Sequence, residues 1–253
     1  HKYIETGSKT SKFGLDSEAV NKISDEARDN KLVNITSVAC HIGSQISDEN
    51  LILKSLDVIN EIADNLSLNG HAIKFLDIGG GLGIQYKDEK EGDPGILMAG
   101  VKNRLEGKEY KIILEPGRSI IGSAGILVTR IEYIKNAGGK KFAIIDAGMN
   151  DLIRPSLYEA WHEVKELENK EISSDTYDLA GPVCETGDIL AKDRNLKILP
   201  NDFVAFMDVG AYGSVMSSNY NSRLKPMELL VMDGEIEVIR RKETFEDLIA
   251  LES

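Results

Sequence analysis

The sequence has few cysteines and few basic residues, and each shortage excludes a class of protein. Two cysteines, Cys40 and Cys184, in 253 residues are too few for a disulfide-based scaffold. Lysine and arginine number 30 against 42 aspartates and glutamates, so the net charge is −12 at pH 7. This charge repels polyanions, which argues against nucleic acid or an anionic membrane as a partner. We expect a reducing, cytoplasmic environment.

Long apolar runs are also missing, so we expect no membrane-spanning helix. A hydrophobic fraction of 42% and a charged fraction of 28% are typical of a globular protein that buries a core. The length suits one large domain or two ordinary ones. The sequence starts at His1 rather than at methionine and reads as mid-domain sequence, so we expect that an upstream portion is missing.

The most informative segment is a short apolar strand that runs into a glycine loop, which we define as residues 79–83. Four of these five residues are glycines. Without Cβ atoms, consecutive N–H groups can turn toward one point and bind an anion, most simply a phosphate. The alternative is a tight turn in which glycine only provides positive φ. Neither the dinucleotide nor the P-loop glycine spacing is present.

Strand ends recur at equal spacing in the first half of the chain. His41, Ile78 and Glu115 each follow a predicted strand, and the same number of residues separates each from the next. This is the βα rhythm of a parallel sheet such as a TIM barrel, whose chemistry lies at the carboxyl ends of the strands. Three such units cannot close a barrel. We therefore predict an α/β fold over residues 1–122, the C-terminal portion of a TIM-like (β/α)8 barrel.

Two helices are predicted in the same half of the chain as these strands. The first is a short helix that Asp16 or Ser17 is predicted to cap, with Val20, Ile23 and Ala27 on one apolar face. The second is predicted after Ser47 as its N-cap. Its apolar stripe consists of Ile52, Leu56, Ile59, Ile62 and Leu66.

The second half of the chain, residues 123–253, changes to strands and turns. Strands are predicted near residues 126–134, 141–146 and 203–207. Asp233-Gly234 between two apolar runs predicts a hairpin, and Thr244 is predicted to cap a last helix. We expect a mostly antiparallel β domain, and leave open whether a final segment near residues 210–253 packs on the barrel.

Polar groups at the predicted strand ends are candidates for binding. His41 can stack on a planar ring, and Ser44 can donate to a phosphate oxygen. Glu115 can pair with a protonated ring nitrogen, and Arg118 can hold a carboxylate or phosphate. The alternatives are a structural histidine and a Pro-Gly turn with an exposed ion pair. We interpret Cys40 as a core residue and predict no metal site.

The β domain contains three further candidates. Arg154 and Tyr158 lie one helical turn apart and suit a carboxylate. Cys184 and Glu185 place a thiol and a carboxylate on a turn, and Tyr212 follows a glycine corner. Taken singly, each is more often a packing or turn residue.

Taken together, the motifs resemble those of diaminopimelate decarboxylases, pyridoxal-phosphate enzymes that combine an alanine-racemase-like barrel with a β domain. The resemblance covers nearly the whole chain. The motifs, in the family's order, lie at residues 40–45, 79–83, 115–118, 154–158, 184–185 and 210–212.

The resemblance implies a site for pyridoxal 5'-phosphate. His41 would lie against the pyridine ring, and Glu115 would keep the pyridine nitrogen protonated. The phosphate would be bound by Ser44, Gly79, Gly80 and Gly81. Gly117, Arg118 and Tyr212 would also contact the cofactor.

The resemblance also implies a small-molecule substrate, meso-2,6-diaminopimelate, which loses CO₂ to give L-lysine. Arg118, Arg154 and Tyr158 would bind the carboxylate that is retained, Glu185 would bind the ammonium beside it, and Tyr212 would contact the substrate.

The remaining implied catalytic group is Cys184, which would donate the proton that replaces CO₂. In this family the turn that carries this cysteine reaches the neighbouring subunit, which implies a homodimer with shared active sites.

One family feature is not found. The lysine that forms a Schiff base with the cofactor lies near the family's N-terminus, and Lys2, Lys9 and Lys12 do not follow a predicted strand. We therefore expect this chain alone to be inactive and to belong to a longer or complemented enzyme. Two alternatives stay open: a related decarboxylase of ornithine, arginine or carboxynorspermidine, and a non-catalytic cofactor-binding homologue.

Overall fold

The computed structural model describes residues 12–252 and divides the chain into two compact units, residues 1–121 and residues 122–253. Lys2 and Lys9 lie outside the described residues. Lys12 is exposed, and its ammonium nitrogen lies 5.0 Å from the centroid of the Phe13 ring.

The first unit alternates helices and strands. Its elements are α1 (Ser17–Arg28), β1 (Ser37–Ala39), α2 (Glu49–Leu68), β2 (Phe75–Asp77), α3 (Pro94–Arg104), β3 (Lys111–Ile113) and α4 (Arg118–Ile121). The three strands form a parallel sheet in the order β1-β2-β3. The βα repeat predicted for this half of the chain is confirmed.

Helix α2 provides the largest part of the first unit's core. Asp48, not Ser47, is its N-cap, and the Asp48 carboxylate accepts from the N–H of Asn50. The prediction of Ser47 was wrong by one residue: serine and aspartate are both favoured at N-caps, and here the helix begins after the aspartate. The buried apolar residues of α2 are Ile52, Leu53, Leu56, Ile59, Ala63 and Leu66.

Helix α1 buries a narrower face than its apolar pattern predicts. Asp16 caps it as expected, and Ala27 is buried. Ile23 is exposed, whereas Ser24 is fully buried and its hydroxyl lies 2.9 Å from Nε2 of His71. A polar contact, rather than Ile23, therefore fixes this face of the helix.

The second unit is built mainly from strands. Its elements are β4 (Leu127–Ala137), β5 (Lys140–Ile145), α5 (Arg154–Tyr158), β6 (Val164–Glu166), β7 (Asp175–Ala180), β8 (Ile189–Leu196), β9 (Phe203–Phe206), β10 (Glu228–Met232), β11 (Glu235–Arg240) and α6 (Phe245–Leu248). Short 3₁₀ turns span Gly122–Ala124, Ser214–Met216 and Tyr220–Ser222.

Six of these strands form one sheet in the order β6-β9-β4-β5-β7-β8. The neighbours pair antiparallel except β5 and β7, which are parallel. Inward residues make up the core, including Ile131, Ile145, Leu179, Leu190 and Phe206. The predicted mostly antiparallel β domain is confirmed.

The hairpin predicted at Asp233-Gly234 is present as strands β10 and β11. Both turn residues have positive φ, 52° for Asp233 and 84° for Gly234, as a tight two-residue hairpin requires. Cross-strand pairing places four apolar side chains on one face, and all four are exposed: Leu229, Val231, Ile236 and Val238.

Thr244 caps α6 as predicted, in a capping box with Asp247. Across residues 12–252, the helices are all too short or too polar to cross a bilayer.

Candidate functional site

The three strand ends of the first unit are joined by backbone hydrogen bonds. The N–H of Cys40 donates to the Asp77 carbonyl at 2.9 Å, and the N–H of Glu115 donates to the Gly79 carbonyl at 2.8 Å. Because the sheet is parallel, the groups that follow β1, β2 and β3 lie along one edge. The predicted residues His41, Glu115 and those of the glycine loop are therefore neighbours.

The glycine loop packs directly against the backbone of the two neighbouring strand ends. A Cβ atom at Gly80 would overlap the carbonyl oxygen of Glu115, and one at Gly81 would overlap that of Gly43. Gly79 and Gly81 also have φ of +66° and +99°. Close packing and positive φ thus require these glycines, in agreement with the tight-turn interpretation.

Three N–H groups of the glycine loop already donate within the protein, and that of Gly83 donates to the Ile46 carbonyl at 2.9 Å. The N–H of Gly79 donates to Oδ1 of Asp77 at 2.9 Å, and that of Gly80 makes a long contact of 3.4 Å to Nδ1 of His41. A phosphate at this edge would therefore depend on the remaining N–H groups of the loop or on other donors. The role of Gly79, Gly80 and Gly81 as phosphate ligands stays a prediction.

Arg118 lies just after β3 and is bound to groups from the other two strand ends. Its Nη2 donates to Oγ of Ser44 at 3.1 Å, and its Nη1 donates to the hydroxyl of Tyr86 at 2.5 Å. Ser44 accepts in this bond, which leaves its own hydroxyl hydrogen to donate to an anion. A guanidinium and a hydroxyl donor side by side suit a phosphate or carboxylate.

Tyr86 was not predicted as part of this edge. Tyr86 is buried. In the sequence it lies three residues after the glycine loop, and this proximity is the only feature by which it could have been predicted.

Glu115, Gly117 and His41 are exposed at the same edge. A Cβ atom at Gly117 would meet no other atom within 4 Å, so this turn faces open space that a ligand can enter. Cys40 is half-buried as expected, and burial raises the pKa of its thiol.

In the second unit, α5 holds Arg154 and Tyr158 one turn apart, as predicted. Arg154 is only 6% exposed, and its Nη1 lies 2.8 Å from Nε2 of His162. The helix ends at Glu159, whose φ of 54° turns the chain back toward Arg154. His162 was not predicted, and its role is visible only from this contact.

The cysteine turn, which we define as residues 181–188, joins β7 to β8 and is organised by one buried carboxylate. Oδ2 of Asp188 accepts from the N–H of Val183 at 2.7 Å, and Oδ1 accepts from the N–H of Met149 at 2.6 Å. Burial raises the pKa of Asp188. Cys184 and Glu185 project from this turn and are exposed.

Glu185 has a partner that the sequence did not reveal. The hydroxyl of Tyr220 donates to Oε2 of Glu185 at 3.1 Å, and this bond raises the pKa of Tyr220. Both residues line a cavity of about 320 Å³. Its other lining residues are Met149, Asn150, Ile153 and Ser218.

Tyr212 is exposed and has a φ of 59°, a left-handed conformation that is uncommon for an aromatic residue and frequent at functional sites. Tyr212 lies two residues after Gly210. Gly125 packs closely against Gly210, because a Cβ atom on Gly125 would lie 2.5 Å from the Gly210 Cα. Among residues 12–252, no group of three or more histidine, cysteine or acidic side chains could hold a metal ion.

The fold combines parallel βα units, with polar side chains and glycines at their strand ends, and a largely antiparallel sheet. The family model for the pyridoxal-dependent decarboxylase, C-terminal sheet domain, matches residues 17–210. This is more than half of the chain, which therefore belongs to the pyridoxal-dependent decarboxylase family. The family predicted from the motifs is confirmed.

Within that family, the chain is similar to proteins named diaminopimelate decarboxylase. It is 44% identical to that of Pseudomonas aeruginosa over 253 residues, which is all of this chain and 61% of the relative. It is 45% identical to that of Aquifex aeolicus over 251 residues, 98% of this chain and 60% of the relative. The chain thus spans about three fifths of the length of these relatives.

Solved structures agree. The diaminopimelate decarboxylase of Helicobacter pylori complexed with L-lysine superposes with a TM-score of 0.94 at 42% identity, covering 100% of this chain and 63% of that chain. An arginine decarboxylase from a Chlorella virus has a TM-score of 0.76 at 18% identity, over 87% of this chain and 62% of that chain, which shows a shared fold only.

The packing of the glycine loop predicts that Gly80→Ala destabilises the first unit. The methyl group would overlap the Glu115 backbone, and relief requires the strand ends to separate, so we expect a loss of up to about 3 kcal/mol. Hydrogen exchange of the β2 and α2 amides measures it. Gly117→Ala is the matched control and should leave exchange unchanged. Equal exchange in both variants would contradict the packing role of Gly80.

The bonds of Asp188 predict that Asp188→Asn weakens the second unit. An amide offers one acceptor oxygen, so either the Val183 or the Met149 N–H would face an NH₂ group, at a cost of about 1–3 kcal/mol. Urea unfolding followed by Trp161 fluorescence measures this. Asp193→Asn, at an exposed position, should change stability by less than about 0.5 kcal/mol. Equal urea midpoints for Asp188→Asn and Asp193→Asn would contradict the role of Asp188 in stabilising the second unit.

Proposed function

We propose that the protein acts, within a longer or complemented enzyme, as a pyridoxal-phosphate-dependent decarboxylase that converts meso-2,6-diaminopimelate to L-lysine and CO₂. The observation that carries the substrate assignment is the buried guanidinium of Arg154, one helical turn from Tyr158. This pair suits a substrate that keeps a carboxylate at the end distant from the reaction. The L-lysine in the structure of the Helicobacter pylori relative supports the same product.

The edge of the first unit has groups that fit pyridoxal phosphate. The hydroxyl of Ser44 and the guanidinium of Arg118 would hold the phosphate, and open space at the Gly117 turn admits it. Glu115 would keep a proton on the pyridine nitrogen, and the exposed ring of His41 would lie against the cofactor's face. When bound, this cofactor supplies an electron sink for the pair of electrons left when CO₂ departs.

The second unit would bind the substrate and supply the proton. Arg154 and Tyr158 would bind the retained carboxylate, and Tyr212 would also contact the substrate. Glu185, held by Tyr220, would bind the neighbouring ammonium as an ion pair. After the bond between Cα and the carboxylate breaks, the Cys184 thiol would transfer its proton to Cα, and solvent would reprotonate the thiolate.

We further propose a cytoplasmic homodimer with shared active sites. Cys184 and Glu185 are exposed on the cysteine turn and so are accessible to a second subunit. An isologous contact would deliver both turns, each to the site of the other subunit.

Two alternatives are separable by experiment. Ornithine and arginine lack a distal α-amino-carboxylate and would leave the Arg154 and Tyr158 pair without a role, and a panel of substrates that includes carboxynorspermidine tests this by CO₂ release. A non-catalytic homologue would lack the Schiff-base lysine, which the coding sequence upstream of His1 decides. A strand that ends in lysine there supports the enzyme.

In the full-length enzyme, Arg154→Met is expected to raise KM for diaminopimelate about 10- to 100-fold, the worth of a charge-assisted hydrogen bond. Steady-state kinetics measures this. Arg130→Met, which removes an exposed guanidinium paired with Glu132, is the control and should leave KM unchanged. Values of KM and kcat that barely move in Arg154→Met would refute the substrate assignment.

Cys184→Ala is expected to lower kcat at least about 100-fold, the usual contribution of a positioned acid, while cofactor absorbance stays unchanged. Turnover at the wild-type rate would exclude the thiol as the proton donor.

Mixing Cys184→Ala and Arg154→Met subunits tests the shared site, provided that the substrate concentration is far below the raised KM of Arg154→Met, where both variants turn over little. If each site takes Cys184 from one subunit and Arg154 from the other, hybrid dimers contain one intact site, and about a quarter of wild-type activity returns in an equimolar mixture. Failure to recover activity, with hybrids shown by mass spectrometry, would contradict sharing.

A further inference from the structure

We propose that His162 is a positioning residue for Arg154 and acts as a neutral imidazole with its proton on Nδ1. The inference rests on the proposed role of Arg154 as the group that binds the retained carboxylate. His162 follows α5 and precedes β6 in the chain, and its ring contacts both Arg154 of α5 and Met207, which follows β9 of the six-stranded sheet.

Two hydrogen bonds of the imidazole determine its tautomer. Nδ1 lies 2.8 Å from the carbonyl oxygen of Met207, and Nε2 lies 2.8 Å from Nη1 of Arg154. A carbonyl can only accept and a guanidinium can only donate. The tautomer that satisfies both partners therefore has hydrogen on Nδ1 and a lone pair on Nε2.

The pairing of β6 with β9 fixes the carbonyl to which the His162 ring is bound. Val164 of β6 pairs with Phe206 of β9, and the N–H of Met207 donates to the Glu163 carbonyl at 2.9 Å. The Met207 carbonyl is thereby held beside the imidazole.

The backbone of His162 is anchored as well. Its carbonyl accepts from Nη2 of Arg194 at 3.0 Å, and the Arg194 guanidinium stacks 4.4 Å from the centroid of the Trp161 ring. His162 is 0% exposed. A ring this enclosed cannot turn without breaking the bond to Met207 or to Arg154, so the ring directs the guanidinium.

A neutral acceptor suits this position better than a charged one. A carboxylate in place of His162 would also orient Arg154, but it would cancel much of the positive charge that attracts a substrate carboxylate. A second proton on the ring, added at Nε2, would remove the acceptor and place a second positive charge 2.8 Å from Nη1 of Arg154. The Nδ1–H imidazole orients the guanidinium without either penalty.

Two substitutions separate this role from simple packing. In His162→Gln the longer amide reaches the place of Nε2 and can accept from Arg154. In His162→Asn the shorter amide reaches only the place of Nδ1, so it keeps the bond to Met207 and loses the one to Arg154.

In the full-length holoenzyme, His162→Asn should raise KM for diaminopimelate, and Kd for L-lysine measured by calorimetry, about tenfold with a smaller change in kcat. His162→Gln should restore most of the loss. Equal effects of the two variants, or effects on kcat alone, would overturn the proposal.

A spectroscopic measurement does not depend on activity or on either variant folding. Long-range ¹H–¹⁵N spectra of histidine-labelled protein report which ring nitrogen carries hydrogen, and this chain has four histidines to assign. The proposal requires Nδ1–H with an unprotonated Nε2 for His162, and an Nε2 shift that changes in Arg154→Met. A proton on Nε2 would overturn it.

The outcomes also distinguish this inference from the proposed function. If Arg154→Met raises KM but His162→Asn does not, the positioning role fails and the substrate assignment stands. If Arg154→Met changes nothing, the substrate assignment fails, and the role of His162 in binding falls with it.

Discussion

The close approach of three strand ends is the constraint on which the first unit depends. Gly80 lies so near the Glu115 backbone, and Gly81 so near that of Gly43, that no side chain fits between them. The same contact that forces glycine into the loop places His41, Ser44 and Glu115 at one edge. The glycines thus act first on the geometry of their neighbours, and any phosphate would bind to groups that this packing assembles.

The second unit achieves a similar result with buried polar groups. Asp188 accepts from two separate backbone segments and so fixes the turn from which Cys184 and Glu185 project. His162 orients Arg154, and Tyr220 holds Glu185. Arg154 and Glu185 therefore each have a partner beside them, and these partners would pre-organise the two side chains for binding.

The local features of the fold could be predicted from the sequence, whereas features set by distant contacts could not. Asp233-Gly234 specifies its hairpin by backbone conformation alone, and the pair Arg154 and Tyr158 follows from helical spacing. Strand β6, with the sequence Val164-Lys165-Glu166, is short and mostly polar, and it becomes a strand only by pairing with β9. Tyr220 bonds to Glu185 and His162 to Met207, partners that lie 35 and 45 residues away in the chain, so no local pattern marks them.

The hairpin of β10 and β11 has a consequence for handling the chain in solution. Leu229, Val231, Ile236 and Val238 form an uncovered apolar stripe on a ribbon only two strands wide, and such ribbons are barely stable in water by themselves. Any apolar surface that meets this stripe gains the free energy of removing it from water. We therefore expect these four side chains to promote association between copies of the chain at high concentration.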